Sequence, residues 1–143
     1  MKKLKHLKAF GLHCSLGNEG INKLTQIIKL KINNNQGITN VNHLIHLEKL
    51  YVTWYSKINN NGIKNLNLIL LDAAGNSDVK EINHMTNLKI LNASSSCGIT
   101  NEDIKQLNLY ELIINDNENI TEFAHMTNLI KLNGNDINKN ILI

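Results

Sequence analysis

The residues of this chain with the widest chemical repertoire are six histidines and two cysteines. Imidazole and thiolate bind metal ions, and both serve in nucleophilic or acid–base catalysis. His43, His84 and His125 recur every 41 residues, a regularity that invites a metal-site reading. Cys14 and Cys97 could form a disulfide, share a metal or supply a nucleophile. Each of these chemistries needs its groups to converge on one point. The elements that carry the residues decide whether they do.

Those elements are internal repeats. From Leu68, apolar residues follow at Leu71, Ala73, Val79, Ile82 and Met85, with Asn76 between them. From Leu109 the same offsets give Leu112, Ile114, Asn117, Ile120, Phe123 and Met126. From Ile27 they give Leu30, Ile32, Asn35, Ile38, Val41 and Leu44. The pattern LxxLxLxxNxxIxxIxxLxx defines a unit of 20 residues. Between these lie units of 21. Leu47 leads to Leu50, Val52, Ser56, Ile58, Ile63 and Leu66; Leu88 leads to Leu91, Ala93, Cys97, Ile99, Ile104 and Leu107. The two kinds alternate, which produces the 41-residue period. Residues 1–143 thus read as one domain of about seven units: 4–26, 27–46, 47–67, 68–87, 88–108, 109–128 and 129–143. The first fits loosely, its start reading as out of phase, and the last keeps Leu132 and then fades.

The pattern resembles leucine-rich repeats over nearly the whole chain. The short units, such as Val79 to Leu91, are similar to those of internalin and protein-phosphatase-regulator type. The longer ones, such as Cys97 to Leu107, resemble the cysteine-containing repeats of F-box/leucine-rich-repeat proteins. Proline and arginine are absent, and Asn, Ile and Lys are over-used, as AT-rich codons favour. That composition is similar to such proteins from AT-rich protists and their large DNA viruses. The resemblance implies an α/β fold: a right-handed solenoid with a parallel sheet on the concave face and short helical or 3₁₀ turns on the convex face.

The residues explain why such units stack. Leu30-Lys-Ile32 alternates with period two, which makes a strand with one buried face. One unit cannot bury its apolar edge alone, so neighbours pair their strands and share a core. Asn35, Asn76 and Asn117 follow the strand, where an amide side chain can bond the backbone that turns away. The return path from Ile99 to Leu107 has Thr or Asn as a cap and acids behind it, which predicts one or two turns of helix. Ile38 to Leu44 has i, i+3 spacing and β-branched residues, which predicts tight turns or 3₁₀ structure.

This register removes the convergent chemistries. Strands stack at roughly 4.8 Å, so histidines two units apart are ~10 Å apart, while zinc–nitrogen bonds are near ~2.1 Å. The cysteines, four units apart, are separated by ~19 Å, and a disulfide needs Cα atoms within ~7 Å. The cysteines are expected as small buried thiols in reduced surroundings, and the histidines beside core positions on the convex face. Gly20 and Gly62 read as turn residues, and no glycine-rich phosphate loop appears. No serine, histidine and acid fall on one rung in a way that suggests a triad. The expectation is a non-catalytic chain with no cofactor and no metal.

Binding is the remaining function. The residues that alternate with the core leucines should line the concave face. Those singled out are Lys29 and Lys31, then Lys49, Tyr51 and Thr53, then Leu70 and Asp72. Ile90 and Asn92 follow, and finally Glu111 and Ile113. Trp54 should sit at the edge of this face, and Tyr55 is expected to fold inward at the Asn position. Trp and Tyr dominate interface hot spots. The expected partner is another protein, its identity open.

Two alternatives stand beside that reading. One is the substrate-recognition arm of an F-box-type ubiquitin ligase, implied by the resemblance, although residues 1–26 already read as a repeat. The other is nucleic-acid binding through the lysine-rich half, ranked lower because arginine is absent. Residues 1–64 hold 10 lysines and two acids, and residues 65–143 hold five lysines and 10 acids. The apolar end Ile141-Leu142-Ile143 leaves three readings: a fold-back over the exposed core, a truncated array, or end-to-end self-association. No apolar run reaches the ~18 residues of a membrane span, and Lys5, His6 and Lys8 break any signal-peptide core, so a cytoplasmic location is expected.

Overall fold

The computed structural model describes residues 4–137. Short alternating runs pair into one sheet of eight strands in sequence order. These are β1 (His6–Lys8), β2 (Lys29–Lys31), β3 (Lys49–Tyr51), β4 (Leu70–Asp72), β5 (Ile90–Asn92), β6 (Glu111–Ile113), β7 (Lys131–Leu132) and β8 (Asn135–Asp136). The first seven pair in parallel, and their register stacks Leu7, Leu30, Leu50, Leu71, Leu91, Leu112 and Leu132 in one column. The five inner leucines have no exposed surface, whereas Leu7 and Leu132 at the ends are half-buried. The ladder runs on past each strand: Val52 N–H donates to Asp72 O at 2.8 Å and Trp54 N–H to Ala74 O at 2.9 Å. The result is a solenoid of stacked coils around one continuous core.

The return paths differ as the residues require. Helices α1 (Asn18–Ile21), α2 (Asn60–Ile63) and α3 (Asn101–Ile104) cross the first unit and the two 21-residue units. Thr100 and Asp103 form a reciprocal capping box on α3, and the Asn59 side chain accepts the Gly62 N–H on α2. The 20-residue units close with isolated turns instead. Leu44 N–H donates to Val41 O, and Leu47 N–H to Leu44 O. No continuous 3₁₀ helix forms there among the described residues. Gly62 is less a turn residue than a contact point: a Cβ there would lie 2.2 Å from Thr39 O.

The start departs from expectation. The first unit begins in phase: Leu7 pairs opposite Leu30, and Ala9 is buried. Its extra length is taken up after the strand, where Gly11 turns at φ +101°. At the other end the chain folds back, with Leu132 opposite Asn135 in an antiparallel pair. Asn133 and Gly134 have φ of 51° and 81°, the left-handed pair that a two-residue hairpin turn demands. Ile137 then packs on the core. The terminal Ile141-Leu142-Ile143 and the association it suggested lie outside the described residues.

Asparagine locks one coil to the next. Asn76 Nδ2 donates to Val52 O at 2.9 Å and Ile58 O at 3.2 Å in the preceding unit, while its Oδ1 accepts the Asp78 N–H. Asn35 and Asn117 repeat this arrangement. A second set lies on the return side. Asn18, Asn60 and Asn101 accept N–H groups of Thr39, Lys80 and Thr121 in the following unit. Asn67 and Asn108 do the same for Asn87 and Asn128. Among the described residues, no buried side-chain polar atom lacks a partner.

Asn76→Ala strands two buried carbonyls and one N–H, so it should cost about 2–4 kcal/mol. The exposed Asn115→Ala should stay within about 0.5 kcal/mol of the parent. Urea unfolding of the two variants checks this difference.

Candidate interaction surface

Each strand turns its first and third residues away from the core. The parallel register therefore builds two outward columns. Lys29, Lys49, Leu70, Ile90 and Glu111 follow one another in the first, and Lys31, Tyr51, Asp72, Asn92 and Ile113 in the second. All ten lie on one face, as their alternation requires. The in-phase start of the first unit adds His6 and Lys8 to these columns. Sequence reasoning missed both, although the Leu4, Leu7 and Ala9 offsets carry the signal. Thr53 departs from expectation: it is 7% exposed and contributes almost nothing to the surface.

Tyr51 is the organising side chain of the basic end. Lys31 Nζ sits 4.4 Å and Lys29 Nζ 5.4 Å from its ring centroid. Such contacts are each worth about 0.5–1 kcal/mol at exposed sites. Beyond Tyr51 stands Asp72. Burial pushes its carboxyl above the ordinary value of 3.8, while the Ala74 N–H, the Lys31 charge and the Asn92 side chain pull it back.

The aromatic edge beside this face is strained. Just after the strand, six consecutive units turn through the left-handed region at Gly11, Asn34, Trp54, Gly75, Ser95 and Asp116. Trp54, at φ 57°, is the bulky member of that series. A non-glycine residue there costs roughly 1–2 kcal/mol. The indole lies flat on the bare backbone of Gly75, where a Cβ would come within 2.6 Å of Cε3. Trp54 is nonetheless 52% exposed and Tyr55 67% exposed. With Lys57, Gly75, Ser77 and Asp78 they line an open depression of about 340 Å³.

The inward placement expected for Tyr55 is therefore wrong. Ser56 occupies the Asn position, buried, with its Oγ accepting the Ile58 N–H at 3.5 Å. Tyr55 stands at the same offset from the strand leucine as Asn35 and Asn76, yet it points outward, and the buried corner falls one residue later. Ser96, its counterpart 41 residues on, is also exposed.

His43, His84, His125 and the two cysteines do not join this surface. His43 Nε2 donates to Ile21 O at 3.0 Å and His125 Nε2 to Ile104 O at 3.2 Å, each the last carbonyl of a helix in the preceding unit. His84 instead uses Nδ1 on Glu81 O. A carbonyl only accepts, so the bonded ring nitrogen carries the proton in each case. Among the described residues, no three His, Cys, Asp or Glu side chains gather as metal ligands. Cys14 and Cys97 are free, and burial pushes the Cys97 thiol up to about 11. No helix among the described residues is long and apolar enough to cross a membrane.

Comparison with protein-family profiles and with curated protein sequences finds no match.

Cys97 should resist iodoacetamide at mildly alkaline pH in the folded protein and react fully in concentrated urea. Its raised pKa also has a stability consequence. The unfolded chain releases this proton near 9.0, the folded chain near about 11. The stabilisation is present below the first value and is lost as pH rises through the second. Cys97→Ala should remove that part of the alkaline fall, read by urea titration across this window.

Proposed function

We propose that the chain is a non-catalytic protein-recognition module: a leucine-rich-repeat solenoid, right-handed, that receives its partner on a concave sheet face. The repeat type is supported by the 20- and 21-residue spacing, the leucine column and the phase-locked Asn35, Asn76 and Asn117. The recognition reading rests on one observation above the rest. Trp54 occupies a left-handed position that neighbouring units fill with Gly, Asn, Ser or Asp, and it remains half-exposed there. Backbone strain and an exposed indole both reduce the stability of the free protein, and strain of this kind concentrates at functional sites. A partner that buries Trp54 and Tyr51 recovers that cost, as large aromatic anchors do in interface hot spots.

A non-catalytic role agrees with where the reactive side chains are used. His43 and His125 are committed to backbone carbonyls, and Cys97 is held protonated in the core. An intracellular, reducing location fits the two free thiols.

The test uses Tyr51→Ala and Trp54→Gly. Trp54→Gly relieves the left-handed strain, so its stability should stay within about 1 kcal/mol of the parent. Both variants should release partners that cross-link to the parent protein in native extract, as read by quantitative mass spectrometry. Full retention of those partners by folded variants would overturn the reading.

A further inference from the structure

The two outward columns change chemistry along the sheet. Over β1 to β3 they form a grid of His6, Lys29 and Lys49 beside Lys8, Lys31 and Tyr51. Rows in such a grid are about 4.8 Å apart and neighbours along a strand about 6.6 Å. Four lysines therefore share a patch roughly 10 Å across. No acid stands among them, and no ion pair involving them forms among the described residues, where Lys105 pairs with Glu102. Like charges opposite one another weaken a sheet. The patch is thus held at a cost by the stacking beneath it, with the Tyr51 ring over Lys29 and Lys31 and the Asp72 charge at its border offsetting part of the repulsion.

The face then changes character. Leu70 and Ile90 succeed the lysines in the first column, both partly accessible, and Asp72 and Glu111 bring negative charge. We infer that this face binds an extended acidic segment of a partner protein, its carboxylates over Lys8, Lys29, Lys31 and Lys49 and its apolar residues over Leu70 and Ile90. From β1 to β5 the face spans about 19 Å, the reach of about six extended residues. A nucleic-acid strand fits less well. Its charge is continuous, so past β3 its phosphates meet Asp72 and Glu111, and the lysines crowd the ring of Tyr51 that a base would stack on.

The inference deepens the recognition reading and rests on it for the choice of face. The probe is a dye-labelled synthetic peptide of four glutamates followed by alternating leucine and serine, followed by fluorescence anisotropy. The parent should bind it, with affinity falling as salt rises. Lys29→Glu/Lys31→Glu/Lys49→Glu should weaken it by at least roughly tenfold, while Lys64→Glu/Lys80→Glu on the return side should not. Replacing the probe's leucines with serine should weaken it further. Circular dichroism establishes that each variant is folded. Equal binding by both lysine variants overturns the inference, as does tighter binding of oligothymidylate than of the peptide. If the probe fails while Tyr51→Ala and Trp54→Gly still release native partners, the acidic assignment falls and the recognition reading stands. If the probe binds through the lysines while those variants keep their partners, the recognition reading falls instead.

Discussion

A coil that turns out of a sheet leaves backbone carbonyls and amides facing an apolar interior, where an unpartnered group is costly. The architecture depends on how those groups are satisfied. Asn35, Asn76 and Asn117 do it with one side chain each, donating backwards to two carbonyls and accepting from the backbone ahead. Ser56 and Cys97 hold the intervening corners with much smaller polar groups. The burden therefore falls on every second unit, and each asparagine serves the corner before its own.

Because stacking is secured in the core and on the return side, the sheet face carries little of it. Its residues are free to differ from unit to unit, and they do. Lysine, tyrosine, leucine, aspartate and isoleucine succeed one another over an almost unvarying leucine column. The same security tolerates Trp54 in a left-handed turn. Its N–H still donates to Ala74 O, so the ladder holds the backbone while the indole is displaced onto Gly75.

The sequence reveals the periodic features and hides the local ones. Strand positions, inward leucines and the asparagine corners follow from spacing, because the same physical demand recurs at each coil. The start of the first unit is obscured because its extra residues, taken up around Gly11, shift everything after the strand. The C-terminal reversal is carried by the single pair Asn133-Gly134, a hairpin signal that a repeat reading overlooks. Tyr55 and Ser56 are misassigned from spacing because Leu50 to Ile58 spans the same interval as Leu30 to Ile38, while the buried corner moves one residue along. The outer asparagine bonds of Asn18, Asn60 and Asn101 are masked by composition, since an asparagine-rich chain makes each one look incidental.

The alternation of corners also constrains how such an array can grow. Removing one unit would set two asparagine units side by side, or two small-residue units with no amide reaching back between them. Removing or copying two keeps each asparagine behind the partner it serves. The module that preserves these bonds is therefore the pair, and copying or removing it changes the sheet face in a 41-residue step. A duplicated pair would arrive with its inter-coil bonds intact and its outward side chains unconstrained by them, so new specificity can be written on it without first rebuilding the fold.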